Sequence, residues 1–221
     1  MSYTIQRLST APPMNLDWDN PAWQTADTAT IAIARPESSD HRPQTLLRLM
    51  HDGTNLHGIF QVKDRYVRAV KSGYQAPVCK DSCVEVFFQP DVGEGYFNLE
   101  MSAAGVYLLY YVRDHQRLEE GFADYAVVDE ANYRKLTVKT SLPERIDPEI
   151  TEPVIWYAQF TIPMAALEPY CGKIGDLSGR EWRGNFYKCG DETSHPHWIS
   201  WAPLTSFNFH LPECFEKLQL K

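Results

Sequence analysis

Two acidic side chains, Glu85 and Glu100, lie in neighbouring segments in which apolar and polar residues alternate, DSCVEVFF and YFNLEM. Successive side chains of a strand point to opposite faces of a sheet, so each glutamate lies opposite the face that its apolar neighbours share. A hairpin loop at 90–94 would pair the two segments. A register slip of one residue would expose one apolar set. We therefore predict that Glu85, Asn98 and Glu100 lie on one sheet face.

A polar sheet face bordered by aromatic rings has the chemistry to bind a sugar. Carboxylate, amide and guanidinium groups supply fixed hydrogen-bond partners for hydroxyls, and rings cover the apolar C–H face of the sugar. A later segment, WRGNFY, adds Arg183 and Asn185 by the same alternation. The candidate ligand-binding residues are Tyr74, Glu85, Asn98, Glu100, Arg183, Asn185, Trp201 and His210. The three ring-bearing residues of this set are expected to provide stacking or rim contacts.

Two other functions remain open at this point. A glycan-processing hydrolase would use Glu85 and Glu100 as its two carboxylates, which such enzymes hold about 5–10 Å apart. A haem-binding accessory module would use Met50, Met101 or His210 as axial ligands. The sequence contains no G-x-S-x-G, P-loop, H-E-x-x-H or dinucleotide-binding glycine motif. Their absence argues against the enzyme classes that these motifs mark.

The cysteines do not form a recognisable metal motif. The five are Cys79, Cys83, Cys171, Cys189 and Cys214. Only the first two lie close together, as C-x3-C, and no second pair or H-x3-5-H motif completes a zinc site. His195 and His197 would bind a metal only if a third ligand converged on them. We expect reduced, mostly buried thiols, as in a reducing compartment, and the identity of any metal stays open.

The elements that carry these residues are predicted to be short strands. Val, Ile, Tyr, Phe and Thr are frequent in segments that turn residues separate. The candidate strands are Tyr3–Leu8, Thr28–Ala34, Thr45–His51, Leu56–Lys63, Cys83–Gln89, Gly95–Met101, Gly105–Arg113, Tyr125–Val128, Tyr133–Thr140, Ile155–Ile162, Trp182–Cys189 and Phe215–Leu220. Only 163–168 resembles a helix, with proline in its first turn. We predict an all-β fold, an antiparallel, jelly-roll-like β-sandwich with one short helix.

Composition and charge exclude several classes of protein. The chain has 221 residues, of which 43% are hydrophobic and 23% charged, as in ordinary globular proteins. This length buries a core without disulfide or metal staples, and we predict a single domain over residues 1–221. The net charge is −8 and no block of Lys or Arg occurs, which argues against nucleic acid as a partner.

No segment of the sequence has the pattern of a membrane or secretory signal. The longest apolar run ends at Arg113 after ten residues, whereas a membrane helix needs about 20. The N-terminus lacks a basic start followed by an apolar stretch. We expect a soluble, cytoplasmic protein without a membrane partner, or a periplasmic or extracellular one if a signal was removed. The oligomeric state is not predicted.

The order of motifs along nearly the whole chain resembles the family 9 carbohydrate-binding modules and their relatives in the DOMON-like superfamily. The matching segments are Trp23-x-x-Ala26, Asp52-Gly-Thr-Asn-Leu56, Phe60-Gln-Val-Lys-Asp64, Asp81-x-x-Val84-Glu85, Trp182-Arg-Gly-Asn-Phe186, Ser200-Trp-Ala-Pro203 and Phe209-His210-x-Pro212. The resemblance implies a jelly-roll-like sandwich that binds sugars, often at chain ends, between rings and polar side chains. It implies ligand-binding roles for Glu85 and Glu100. Because these modules are non-catalytic, the resemblance favours a non-catalytic carbohydrate-binding module over an enzyme. Some relatives hold structural calcium, and some DOMON-type relatives bind haem with Met or His as axial ligands.

The chain departs from the family pattern at the aromatic rings. The sugar-binding members that this chain resembles have a tryptophan shortly before the D-x-x-V-E block. At that position this chain has Pro77-Val-Cys-Lys80, and the nearest aromatic ring is that of Tyr74. Their second tryptophan lies near the C-terminus, and no tryptophan follows Trp201 here. The residues available to replace it are Phe207, Phe209 and His210.

Overall fold

The computed structural model describes the whole chain, residues 1–221, and its regular structure is almost entirely β. The strands are β1 Ser2–Arg7, β2 Thr28–Ile31, β3 Ile33–Ala34, β4 Gln44–His51, β5 Asn55–Asp64, β6 Val67–Ala69, β7 Cys83–Gln89, β8 Tyr96–Ser102, β9 Tyr107–Leu118, β10 Gly121–Val127, β11 Thr137–Thr140, β12 Ile146–Ile150, β13 Val154–Pro163, β14 Glu181–Cys189, β15 Trp198–Ser200 and β16 Glu216–Leu220. Two one-turn α-helices are present, α1 Glu130–Tyr133 and α2 Glu168–Cys171. The predicted all-β class is confirmed.

Two sheets share the first strand. The front sheet has the order β10-β9-β8-β7-β14-β16-β1, and the back sheet has the order β1-β4-β5-β13-β11. Ser2 to Ile5 pair with β16, whereas Gln6 and Arg7 pair with β4, both in parallel. The other strand pairs are antiparallel. The chain therefore forms the predicted sandwich, with β1 crossing from one sheet to the other at a corner.

The facing sides of the two sheets form the main core. Val84 and Val86 of the front sheet and Phe60 and Trp156 of the back sheet have no solvent exposure and belong to one hydrophobic cluster. Burying a large apolar side chain contributes about 1.5–3 kcal/mol, so a slip of β7 by one residue would forfeit several such contributions. The core therefore fixes Glu85 on the outer face of the front sheet.

Loops and two smaller apolar clusters cover part of this outer face. One cluster contains Phe87, Tyr96, Val112, Phe122, Tyr187 and Phe215. The other contains Ala76, Val78, Cys83, Leu108 and Cys189. Phe209, from the segment that joins β15 to β16, packs against both clusters. This segment closes over the strands that carry the two glutamates.

Two aspartates of the sequence motifs hold turns together. Asp52 accepts hydrogen bonds from the amides of Thr54 (2.9 Å) and Asn55 (2.7 Å), which closes the hairpin between β4 and β5. Asp81 accepts from the amides of Val70 (3.0 Å) and Lys71 (2.8 Å) just before β7. Carboxylates that bind backbone amides in this way fix local conformation. The motif spacing of these two aspartates is therefore explained by their role in stabilising turns of the fold.

The structure corrects several predicted elements. The short strands β6, β12 and β15 were missed, because runs of three to five residues at the edge of a sheet carry little periodicity of their own. The predicted strand 133–140 begins only at Thr137, because Asp129 caps helix α1 by accepting from the amide of Asn132. The predicted helix 163–168 is instead a 3-10 turn over Met164–Ala166 followed by α2.

The helices are too short for a membrane span. None of them reaches the length and apolar content that crossing a bilayer requires.

Candidate functional site

An open cavity of about 200 Å³ lies on the outer face of the front sheet. Its lining residues come from strands, from the loop 190–197 and from the segment that follows β15. They are Cys79, Glu85, Glu100, Arg117, Cys189, Asp191, Trp198, Phe207, Asn208, Phe209 and His210. Three of the eight predicted ligand-binding residues, Glu85, Glu100 and His210, are among them.

The two glutamates form the floor of the cavity. Glu85 of β7 and Glu100 of β8 are directly opposite each other in the antiparallel ladder, so their side chains share one face. Such pairs hold their Cβ atoms about 4.5–5.5 Å apart. Both side chains line the same cavity although only 1% of Glu85 and 5% of Glu100 is exposed. The predicted shared face of the two carboxylates is confirmed.

Burial and mutual repulsion change the charge of this pair. Burial, reinforced by the charge of Glu100, holds the pKa of Glu85 well above its usual range. Burial raises the pKa of Glu100 to about 7, although a hydrogen bond from Asn98 and the charge of Arg117 act to lower it. At neutral pH the pair therefore carries fewer than two negative charges. A protonated carboxyl donates one hydrogen bond and still accepts others.

The two carboxyl groups differ in how many protein partners they have. Glu100 accepts a hydrogen bond from Nδ2 of Asn98 at 2.9 Å. Glu85 accepts through Oε1 from the Cys189 thiol at 3.1 Å, whereas its Oε2 is buried and has no hydrogen-bond partner. A buried acceptor without a partner costs about 1–3 kcal/mol. A donor that enters the cavity would relieve this cost.

Asn98 supports the site from behind. Its Oδ1 accepts a hydrogen bond from the backbone amide of Tyr110 at 3.0 Å, and its Nδ2 donates one to Oε1 of Glu100. The side chain is buried and does not line the cavity. Asn98 therefore positions Glu100, which corrects its predicted role as a direct ligand contact.

Three rings from loops and a short strand border the cavity. The Trp198 indole donates to Oδ1 of Asp191 at 2.7 Å, and Phe207 packs edge-on against it at 4.8 Å between ring centroids. Phe209 stacks on Tyr187 at 4.1 Å. Phe207 is 52% exposed, so a ligand can cover it. Phe207 and Phe209, two of the residues available to replace the missing second tryptophan, line the cavity. Trp198 also lines it and was not predicted as a ligand contact.

His210 forms a polar wall of the cavity. Its Nδ1 is hydrogen-bonded to the Tyr96 hydroxyl at 2.8 Å, and its ring lies 4.8 Å from Phe87 and 4.5 Å from Phe122 between centroids. Burial, with the charges of nearby cations, holds the pKa of His210 well below its usual range. The imidazole is therefore neutral at physiological pH. It was predicted as a rim residue and lies in the cavity, but its ring faces are already packed.

Tyr74 and Trp201 lie outside the cavity, which corrects their predicted roles. The Tyr74 hydroxyl donates to the carbonyl of Val128, and its ring packs edge-on against Tyr133. Trp201 is 7% exposed and packs against Tyr3 and Phe186 in the main core. The Trp201 ring is occupied by protein contacts, whereas the Tyr74 side chain is 44% exposed but does not line the cavity.

Arg183 and Asn185 share the predicted face but are also absent from the cavity. The ladder between β7 and β14 places both on the outer side of the front sheet, further along the strand from Glu85. Arg183 donates to the carbonyl of Phe215 at 2.6 Å. Asn185 accepts from the Ala202 amide at 2.9 Å and donates to the Ala202 carbonyl at 3.3 Å. Both therefore fasten the C-terminal segment onto the sheet.

The residues considered for haem or for a histidine-bound metal are engaged elsewhere. Met50 and Met101 are fully buried in apolar clusters. His195 stacks on Tyr66 at 3.7 Å between centroids. His197 lies 2.7 Å from Nζ of Lys188, inside the sandwich. These contacts do not favour either hypothesis.

The side chains do not fit calcium well. Calcium takes six to eight oxygen ligands. The only three His, Cys, Asp or Glu side chains whose donor atoms converge are Cys83, Glu85 and Cys189, and two of these are thiols. A donor set with two sulfurs and one carboxyl group therefore does not favour calcium.

Comparison with solved structures finds the same architecture in other proteins. A candidate carbohydrate-binding protein from Bacteroides uniformis ATCC 8492 superposes with a TM-score of 0.83 at 26% sequence identity, and the match covers 100% of this chain and 99% of the other. A search of curated proteins finds no match.

Two further structures are of a family 9 carbohydrate-binding module from Caldicellulosiruptor kristjanssonii. One is a complex with cellotriose (TM-score 0.66, 12% identity, 100% of this chain and 94% of the other). The other is a complex with glucose (TM-score 0.66, 11% identity, 100% of this chain and 96% of the other). At these identities the similarity shows the fold. The sequence model of carbohydrate-binding family 9 matches residues 11–220, and the chain belongs to that family.

Proposed function

We propose that the cavity binds one sugar ring reversibly and that the protein catalyses no reaction on it. The observation that carries the proposal is the pair Glu85 and Glu100, which lie side by side on the floor of an open cavity whose border carries Trp198, Phe207 and Phe209. Adjacent carboxyl groups can bind neighbouring hydroxyls of a sugar, and rings can cover its C–H face. The ring is that of a free sugar or of a residue at a glycan chain end.

The energetics of such a site fit reversible binding. A ring that covers about 60 Å² of apolar sugar surface contributes about 1.5 kcal/mol, and hydrogen bonds contribute about 0.5–1.5 kcal/mol each. After the costs of association these contributions correspond to a Kd of about 1 μM to 1 mM. The cavity is smaller than the roughly 300–1,000 Å³ of pockets for drug-sized ligands, so one ring is expected to make most of the contacts.

The modules that were solved with cellotriose and glucose make glucose and cello-oligosaccharides the first ligands to test.

The two carboxyl groups are less suited to glycosidase chemistry than to binding. Glycosidases keep one carboxyl protonated as the acid and the other ionised. Here burial raises the pKa of both Glu85 and Glu100, so below about pH 7 neither environment favours an ionised nucleophile. We also propose that residues 1–221 act as one module, and the wider relationship to the DOMON-like superfamily stays a prediction from the motifs.

Calorimetric titration tests the proposal. We expect binding of glucose or cellotriose by the wild-type protein, at least tenfold weaker binding by Glu100→Gln, and unchanged binding by Glu94→Gln, an exposed loop residue. Failure of every sugar on a broad glycan array to bind would refute the proposal.

Incubation with chromogenic glycosides tests the absence of catalysis. We expect no hydrolysis. Hydrolysis that both Glu85→Gln and Glu100→Gln abolish would show that the chain is an enzyme.

A further inference from the structure

Two thiols and a carboxyl group converge beside the cavity, which Glu85 and Cys189 line and Cys83 does not. Cys83 and Cys189 are directly opposite each other in the ladder between β7 and β14, and Glu85 lies two residues beyond Cys83 on the same face. One donor atom from each of the three side chains lies within 4.8 Å of the others. All three residues are at most 1% exposed. No other His, Cys, Asp or Glu side chains of the chain form such a group of three or more.

The protein does not satisfy all the polar atoms of this group. Oε1 of Glu85 accepts from the Cys189 thiol at 3.1 Å, but Oε2 is buried without a partner. The Cys83 thiol makes a long contact of 3.7 Å with the carbonyl of Val84 and is also hydrogen-bonded to the Cys189 thiol. Buried polar atoms are normally paired, and each exception calls for a physical reason. A cation bound between the three side chains supplies such a reason.

We infer that Cys83, Glu85 and Cys189 bind a divalent ion of the zinc class. Thiolate and carboxylate ligands are the donors that zinc takes, at about 2.3 Å and 2.0–2.2 Å respectively. Neighbouring donors of a tetrahedral site are therefore about 3.3–3.8 Å apart. The donor atoms, which lie within 4.8 Å of one another, would have to approach by about 1 Å when the ion binds. Calcium and magnesium prefer oxygen ligands and are disfavoured by the two sulfurs.

The ion has an entry path and an open position. Glu85 and Cys189 line the cavity, so an ion from solvent can reach them without unfolding of the sheet. Three protein ligands leave the fourth tetrahedral position for water or another small ligand. Binding of this ion is a property separate from sugar binding and does not depend on it. Both sites use Glu85, so the two ligands must be measured separately.

Binding exchanges protons for the ion. A cysteine thiol has an ordinary pKa of about 8.5, so both thiols are mostly protonated at pH 7.5 before the ion binds. Each S–H bond breaks as a bond from sulfur to the metal forms, and the protons of the thiols and of the Glu85 carboxyl pass to solvent. No electrons are transferred.

Cobalt(II) and zinc(II) titrations of the reduced, untagged protein test the inference. We expect one cobalt ion per chain, a thiolate-to-cobalt charge-transfer band in the near ultraviolet, and loss of that band when zinc displaces cobalt. Cys83→Ser and Cys189→Ser are each expected to abolish the band and to weaken zinc binding at least tenfold. Cys171→Ser is the matched control, because Cys171 is also a buried free thiol but does not line the cavity.

A second measurement uses only the wild-type protein. Calorimetry of zinc binding in buffers of different ionisation enthalpy gives the number of protons released, which we expect to lie between about two and three per ion. Release of less than one proton would overturn the inference, since it would exclude two protonated thiols as ligands. So would zinc binding no tighter than about 10 μM, or binding that survives in the double serine variant. Sugar affinity is measured in parallel with EDTA present, so either proposal can fail alone.

Discussion

Replacing Glu100 by glutamine should stabilise the protein at neutral and alkaline pH and not at acid pH. Burial raises the pKa of the Glu100 carboxyl in the native protein to about 7, from an ordinary value of 4.5. Below pH 4.5 the carboxyl is protonated in both the native and the unfolded state. Between pH 4.5 and 7 the unfolded chain ionises while the native protein does not, so the native state loses stability as the pH rises. The Glu100→Gln variant has no such loss.

The size of this effect follows from the same interval. Each pH unit between 4.5 and about 7 corresponds to about 1.4 kcal/mol, so the wild-type protein loses about 3 kcal/mol that the variant keeps. Glu100 is 5% exposed, so solvent does not screen the effect strongly. Removing the Glu100 charge also lowers the pKa of Glu85, because that charge acts to raise it. Both changes stabilise the variant at high pH.

Urea unfolding at several pH values measures the effect. The free energy of unfolding of the variant, minus that of the wild-type protein, should rise by about 3 kcal/mol between pH 4.5 and pH 8, with EDTA in all samples. Comparing this difference at two pH values cancels any change in stability that the glutamine side chain causes equally at every pH. The same difference for Glu94→Gln should stay flat. A difference for Glu100→Gln that stays constant or falls with pH would refute the assignment of a buried, protonated carboxyl.

Three further changes have defined outcomes. Trp198→Ala should weaken sugar binding about tenfold, because one covering ring contributes about 1.5 kcal/mol. Tyr74→Phe should leave the affinity measured by calorimetry unchanged. Weaker binding by Tyr74→Phe with unchanged binding by Trp198→Ala would contradict the position of the cavity. Burial, with the charge of Lys188, lowers the pKa of His197 to about 3, so the stabilising contribution of its neutral imidazole is complete above pH 6.5 and declines as the pH falls toward 3. The stability of the wild-type protein relative to His197→Gln, measured by urea unfolding, should therefore drop by about 2 kcal/mol from pH 7 to pH 5. A difference that does not change with pH would exclude a neutral buried imidazole. After removal of metals with a chelator, zinc should raise the melting temperature whereas calcium should not; stabilisation by calcium alone would indicate oxygen ligands that the side chains do not show.

The floor of the cavity could be predicted because its information is local. The alternation in β7 and β8 determines on which face each side chain lies, and the apolar residues of the core set the register. Glu85 and Glu100 were therefore assigned to one face from two short stretches of sequence. Asn185 was assigned to the same face by the same argument. The sequence could not show that the side-chain amide of Asn185 is already hydrogen-bonded to the backbone of Ala202.

The border of the cavity depends on contacts that are distant in sequence. Trp198 lies opposite Cys189 in the pairing of β14 with β15, so it shares the cavity face, whereas Trp201 comes three residues later and packs in the core. Strand β15 has only three residues, and its place depends on pairing with β3 and β14. Without knowledge of that strand, the two tryptophans cannot be distinguished by spacing alone.

The cavity combines a floor of hydrogen-bonded strands with a border of loop residues. The floor residues lie in the paired strands β7 and β8, whereas Asp191, Phe207 and Asn208 of the border are half-buried or exposed and can accept substitutions that leave the core untouched. Ligand preference can thus be redesigned independently of foldability. A library that varies Asp191, Phe207 and Asn208 while keeping Glu85 and Glu100 would sample new specificities on an unchanged scaffold.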